Sequence, residues 1–218
     1  MSFADDIGLA RVSRFAPLVD TEFEGKSPLH VAVQHGHDNV VELLIDSKAS
    51  VTATDNELRT PLHYAARRGE LRIARMLIEN LTIKVVNGVE VPEDPKAATS
   101  FVRSKDRDGV TALHDAAKGG FCDMIDMLIK YGADINSLDR HGQSALHYGA
   151  AGGHDYVVDI LIDEGAQVNV LDENQRSAVH LASITGNSYC TNLLGANGAL
   201  PPSLPPSLSL SLSLSLSL

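Results

Sequence analysis

Cysteine is scarce in this chain: Cys122 and Cys190 are the only two among 218 residues, far apart and without a C-x-x-C pair. That excludes a disulfide framework and a four-ligand zinc site, and it suits a reducing compartment. Long apolar runs are missing too. No stretch approaches the roughly 18 consecutive apolar residues of a membrane span, and Met1-Ser2-Phe3-Ala4-Asp5-Asp6 lacks the basic start and apolar core of a secretory leader. The expectation is a soluble intracellular chain, cytoplasmic with the nucleus open to it, in which the glycosylation sequon Asn80-Leu81-Thr82 is accidental. Positive charge is in deficit, with 18 Lys and Arg against 28 Asp and Glu. A net charge of -10 repels phosphate backbones and anionic lipid, so neither nucleic acid nor a membrane is an expected partner. The signatures of catalysis are lacking as well: there is no G-x-S-x-G, no Walker glycine loop, no H-E-x-x-H and no G-x-G-x-x-G after a strand. No enzyme activity and no cofactor are expected.

What the chain does have is a beat. Ser27-Pro28-Leu29-His30, Thr60-Pro61-Leu62-His63, Thr111-Ala112-Leu113-His114, Ser144-Ala145-Leu146-His147 and Ser177-Ala178-Val179-His180 begin 33, 51, 33 and 33 residues apart. Self-similarity at a fixed period of this length marks a repeat array, in which each unit buries its apolar face only against its neighbours. With its 33-residue period and a recurring [ST]-[PA]-[LV]-H opening, the sequence resembles the ankyrin-repeat family over about residues 22 to 199.

Residues 106 to 138 show one unit clearly. Asp106-Arg107-Asp108-Gly109 reads as a turn, because Asp bonds the backbone that follows it and Gly accepts positive φ. Thr111 caps a short helix with Leu113, Ala116 and Ala117 on its apolar side, ended by Gly119-Gly120; a second helix carries Met124, Ile125, Leu128 and Ile129 and ends at Gly132. Gly36, Gly69, Gly120, Gly153 and Gly186 hold one place in all five units, which predicts left-handed backbone there. Leu58 and Gln175 replace the turn glycine, and Lys48 and Leu81 replace the terminal glycine of the second helix, so strained turns and softer first, second and fifth repeats are expected.

The fold class is therefore α, an ankyrin-type solenoid of about five helix-turn-helix units joined by short β-hairpin turns. Its expected parts are an N-terminal segment at 1–21 with a partial capping helix, repeats at 22–54, 55–105, 106–138, 139–171 and 172–199, and a low-complexity Pro/Ser/Leu tail at 200–218. The 51-residue interval holds an insertion near 83–104. There, Asn87-Gly88 between β-branched residues signals a hairpin. Pro92 and Pro95 are expected to forbid further regular pairing, giving a solvated return, so that the insertion is either a passive loop or a partner-contacting finger, and removing residues 85–102 would cost little stability.

Nine histidines invite a metal reading. The repeat accounts for most of them, since ligands need convergent geometry and the motif histidines recur with the period. The resemblance implies that these rings bond the Ser or Thr of their motif and the backbone of adjacent turns. It further implies a non-enzymatic protein-protein interaction module, a scaffold, adaptor or inhibitor, expected to be monomeric. Its protein partner would meet the turn tips and first helices: Lys26, Gln34, His35, Arg59, Arg67, Arg68, Arg107, Asp108, Lys118, Arg140, His141 and Arg176, with Phe23, Glu24 and Val110 also among the tips. Arg59, Arg67, Arg68, Arg72 and Arg75 make the second repeat basic within an acidic chain, a candidate patch for an acidic peptide. Asn136, after Asp134-Ile135, resembles the ankyrin position modified by asparaginyl hydroxylase. The abrupt carboxyl end leaves the regulatory or substrate-recognition part of a larger enzyme or channel as the alternative function.

Overall fold

The computed structural model describes residues 25–86, 89–92 and 95–199. The N-terminal segment with its expected capping helix, the Asn87-Gly88 turn and the Ser-Leu tail lie outside the described residues. Five helix pairs follow the beat: α1 (Pro28–His35) with α2 (Asp38–Asp46), α3 (Pro61–Arg68) with α4 (Leu71–Thr82), α6 (Ala112–Gly119) with α7 (Cys122–Lys130), α8 (Ala145–Gly152) with α9 (Asp155–Asp163), and α10 (Ala178–Ile184) with α11 (Ser188–Ala196). Between α4 and α6 stand an antiparallel hairpin, β1 (Ile83–Val86) and β2 (Val89–Pro92), and the helix α5 (Pro95–Val102). These are the strands among the described residues, and the turns between repeats, expected as β-hairpins, close on a few hydrogen bonds such as Asp106 N–H to the Val110 carbonyl without forming strands.

Local chemistry sets the helix boundaries. Ser27, Thr60, Ser144 and Ser177 sit in extended backbone at the N-cap, each in a reciprocal box with the histidine at the third helical position. Pro28 and Pro61 occupy first-turn positions whose N–H would be unsatisfied anyway. At the other end the chain turns left-handed, with φ of 69° at Gly36, 71° at Gly69, 78° at Gly120, 70° at Gly153 and 72° at Gly186, as their recurrence predicts. Leu58 and Gln175, both at φ 60°, and Lys48, at 69°, adopt the same conformation with a Cβ present, which is local strain. Leu81 escapes it, because α4 runs on to Thr82 and leads straight into β1.

The described residues form two compact units. In the first, which runs to Ala112 and includes Lys130–Ala133, Leu29, Val33, Val41, Leu62, Ile73, Leu77 and Ile78 are buried among the small residues Ala65, Ala66 and Ala74. In the second, which takes Leu113–Ile129 and the described residues from Asp134, the core is Leu113, Met124, Ile125, Leu128, Leu146, Val158, Leu161 and Leu194, with Ala116, Ala117, Ala150 and Ala182. The alanines on the first helices let neighbouring helices approach, and helices of seven to nine residues gain most of their stability from that packing.

The insertion departs from expectation. Its hairpin forms, in the register Ile83 with Pro92 through Val86 with Val89. The solvated return does not. Pro95 opens α5 instead of breaking the chain, which is the tolerance of a first helical position for a residue without an N–H. The helix packs on α4 and buries Ala98, Phe101 and Val102. It also holds the loop after α7: Thr99 Oγ1 donates to the Tyr131 carbonyl at 3.3 Å, and Arg103 Nε to the Gly132 carbonyl at 2.6 Å. A methyl group on Gly132 would stand 3.1 Å from Thr99 Cγ2, so the insertion fits closely there.

Candidate functional site

Each turn between repeats is built on one aspartate. Asp55 Oδ1 accepts the backbone N–H of Glu57 and Arg59 at 2.8 and 2.9 Å; Asp106 Oδ1 takes those of Asp108 and Val110, Asp139 Oδ1 those of His141 and Gln143, and Asp172 Oδ1 those of Asn174 and Arg176, all at 2.8 to 2.9 Å. The second oxygen is also held, but by a different partner each time. Tyr64 donates to Asp55 at 2.6 Å and Tyr148 to Asp139 at 2.9 Å, whereas Arg59 Nε reaches Asp106 at 3.1 Å and Arg176 Nε its own turn's Asp172 at 2.9 Å, beside Gln143. All four aspartates are buried. Burial alone raises a carboxyl's pKa, but these hydrogen bonds outweigh it: Asp55 stays below the usual range, and Asp172, facing the Arg176 guanidinium, is held at about 2.

The histidines complete the frame. His30 Nδ1 accepts the Ser27 backbone N–H at 3.2 Å and lies 2.8 Å from Ser27 Oγ, while Nε2 donates to the Arg59 carbonyl at 3.0 Å. His63 does the same between Thr60 and the Val110 carbonyl, and His147 between Ser144 and the Arg176 carbonyl. His114 Nε2 meets the Gln143 carbonyl, and His180 Nδ1 meets Ser177. Desolvation lowers the pKa of His30, His63 and His147. The rings bind their own repeat to the turn of the next, as the resemblance implied. Among the described residues no group of three metal-ligating side chains converges.

Above this frame the side chains differ from turn to turn. Asn56, Arg107, Arg140 and Glu173 hold one equivalent position, Glu57, Asp108, His141 and Asn174 the next, and all eight are exposed. Neighbouring tips also touch: the Arg107 N–H donates to the Glu57 carbonyl and the Glu173 N–H to the His141 carbonyl, both at 2.8 Å, and His141 Nδ1 stands 2.8 Å from Glu173 Oε1. At the ends of the first helices His35, Arg67, Arg68 and Lys118 are exposed, as are Ala151 and Ile184.

The candidate residues therefore fall into two groups. Arg107, Asp108, Arg140, His141, His35, Arg67, Arg68 and Lys118 face solvent. Arg59 and Arg176 are half-buried in ion pairs with the turn aspartates, and Val110 is buried outright. Lys26 Nζ donates to Gln34 Oε1 at 2.8 Å and lies 5.0 Å from the centre of the Tyr64 ring, so both residues brace the first turn. In the basic second repeat Arg72 is paired with Asp38 and Glu42, and Arg68 with Glu70, while Arg67 and Arg75 make no ion pair among the described residues. Asn136 is half-buried between two turns, with Oδ1 accepting the Gln167 N–H at 2.8 Å and Nδ2 3.4 Å from the Gly165 carbonyl. Phe23 and Glu24 lie outside the described residues.

Tyr64 and Tyr148 act as turn locks that the recurring motif does not mark. Their signal is the spacing of nine residues from a turn aspartate, which the third repeat breaks with Asp115 in the tyrosine's place. No curated protein matches the chain. The family model described as ankyrin repeats (3 copies) matches residues 10–88 and 113–202, passing over β2 and α5 of the insertion. With the period, the caps, the turn aspartates and that match in agreement, the chain belongs to the ankyrin-repeat family.

Proposed function

Ankyrin repeats are generally protein-protein interaction modules, and we propose that this chain is one without enzymatic activity, an adaptor or inhibitor that binds a protein partner through turn tips and first helices. The observation that carries the reading is the contrast between frame and surface. Four turns share one aspartate-locked backbone, yet their eight outward side chains include both charges, amides and an imidazole. A rigid backbone presenting a varied surface lowers the ordering cost of binding and leaves specificity to the side chains.

Within that surface the second repeat offers Arg67 as an exposed guanidinium, suited to a carboxylate of the partner. The test is affinity capture by residues 25–199 beside the same chain carrying Arg107→Ala, Asp108→Ala, Arg140→Ala and His141→Ala. Because all four side chains are exposed, thermal melting should not move by more than a few degrees. A protein retained by the unaltered chain and lost from the variant is the expected result. Equal retention by both would sink the assignment to the tips.

A further inference from the structure

A second surface lies on the second helices of the last two repeats. Tyr156 on α9 and Tyr189 on α11 are 80% and 56% exposed, the former the most exposed large apolar or aromatic side chain among the described residues. They are 33 residues apart and so occupy one equivalent position in successive repeats; the first three repeats place Asn39, Arg72 and Asp123 there. Helices α9 and α11 pack together, and their starts are fastened. Asn187 Nδ2 donates to Asp155 Oδ1 at 2.8 Å and to the Gly153 carbonyl at 3.1 Å, and Cys190 Sγ lies 3.0 Å from the same Asp155 oxygen. Each tyrosine is next to a residue of this fastening or one place from it, so the two rings are presented from a fixed base.

The charge carried by these two helices has one sign. Asp159 and Asp163 follow Tyr156 by three and seven residues on α9, and Glu164 caps the helix; Asp163 and Glu164 are exposed. One repeat earlier, Asp123 and Asp126 hold the places equivalent to Tyr156 and Asp159, and both are exposed. Neither α9 nor α11 carries a Lys or Arg. Between residues 141 and 199 the single cation is Arg176, which Asp172 Oδ2 already holds at 2.8 Å.

We propose that this tyrosine and carboxylate face docks an arginine-bearing segment of a partner protein. A guanidinium stacks flat on a tyrosine ring while its N–H fork reaches carboxylates, a pairing that the compact ammonium of lysine makes less well. A second copy of this chain meeting it through the same face would bring the same negative charge and be repelled. The site stands apart from the turn tips and first helices, so it does not depend on the assignment made for them.

The experiment uses fluorescence anisotropy of labelled peptides of about a dozen residues, alternating Arg-Gly, Lys-Gly or Pro-Gly, titrated with the full chain. The Arg-Gly probe should bind most tightly. Tyr156→Ala and Tyr189→Ala together should weaken it about tenfold, in line with two exposed cation–π contacts. Tyr156→Phe, which keeps the ring, should leave binding as it is. Absence of saturable binding would overturn the proposal. So would equal affinity for Arg-Gly and Lys-Gly with both tyrosines dispensable, since that is general attraction to an acidic protein, or a preference for Pro-Gly, which would make the face a proline-segment site.

Discussion

The ring of His63 accepts the Thr60 N–H through Nδ1 and donates through Nε2 to the Val110 carbonyl, which leaves a second proton no place to go. Protonating Nδ1 would set an N–H against an N–H, and the ring is buried besides. The same geometry holds at His30 and His147, and desolvation lowers the pKa of all three from the ordinary 6.5. The sign of the consequence follows. Below pH 6.5 the unfolded chain takes up protons on these histidines that the folded chain refuses, so stability is complete above that pH and is lost as the pH falls beneath it. Thermal melting should therefore be flat from pH 8 to about 7 and fall steadily from 6.5 towards 5. His63→Gln retains the reach back to the cap but cannot be protonated. It should melt lower at pH 8, by about 1 kcal/mol for the lost bond to Val110, and with a shallower dependence on pH. A melting temperature indifferent to pH across this window would show that the rings titrate alike folded and unfolded. Asp55 and Asp172, both held below the ordinary carboxylate range, do not blur the result.

At the scale of elements, the informative one is α5. Its existence was not legible, because Pro95 has no counterpart in the 33-residue period and a proline outside a recurring motif reads as a breaker, although Pro28 and Pro61 open helices in the same way. For those two the recurring Ser or Thr and His supplied the context that Pro95 lacks. The hairpin before it was legible, since an Asn-Gly pair between β-branched residues needs only local chemistry. Burial corrects the energetic expectation for the insertion. Phe101, with Ala98 and Val102, is packed against α4, so Phe101→Ala should cost about 3 kcal/mol and lower the melting temperature by several degrees. Removing residues 85–102 should cost more, because Thr99 and then the placement of Arg103 are lost to the loop at Tyr131 and Gly132. Calorimetry of the two variants checks this, and a deletion that melts with the unaltered chain would return the insertion to the status of a passive loop. The practical consequence is that loss of a partner on deleting this segment does not identify a contact. Substitution of its exposed residues Lys96 or Ser100 does.

For the molecule as a whole, the repeat was legible because each unit must offer the same apolar face to the units beside it, and a constraint met five times writes itself into the sequence as a period. The interaction surface was less so, since an exposed side chain answers to a partner and not to the fold; Arg59 and Arg176 looked like tip cations and prove to be locks on Asp106 and Asp172. Unfolding should carry the same mark of modularity. Each of the two compact units has its own buried core, and in a repeat array stability is a sum of unit and neighbour terms in place of one all-or-none quantity. Phe101→Ala removes core from the first unit only. In urea the variant should thus lose part of its helical circular dichroism early, while the remainder melts near the midpoint of the unaltered chain. Hydrogen exchange read on peptides assigns the phases: amides of α3, α4 and α5 should lose protection in the first, and those of α8, α9 and α10 keep theirs until the second. If both sets open together at one lowered midpoint, the neighbour terms outweigh the difference between the units, and the chain folds as a single cooperative body despite its two cores.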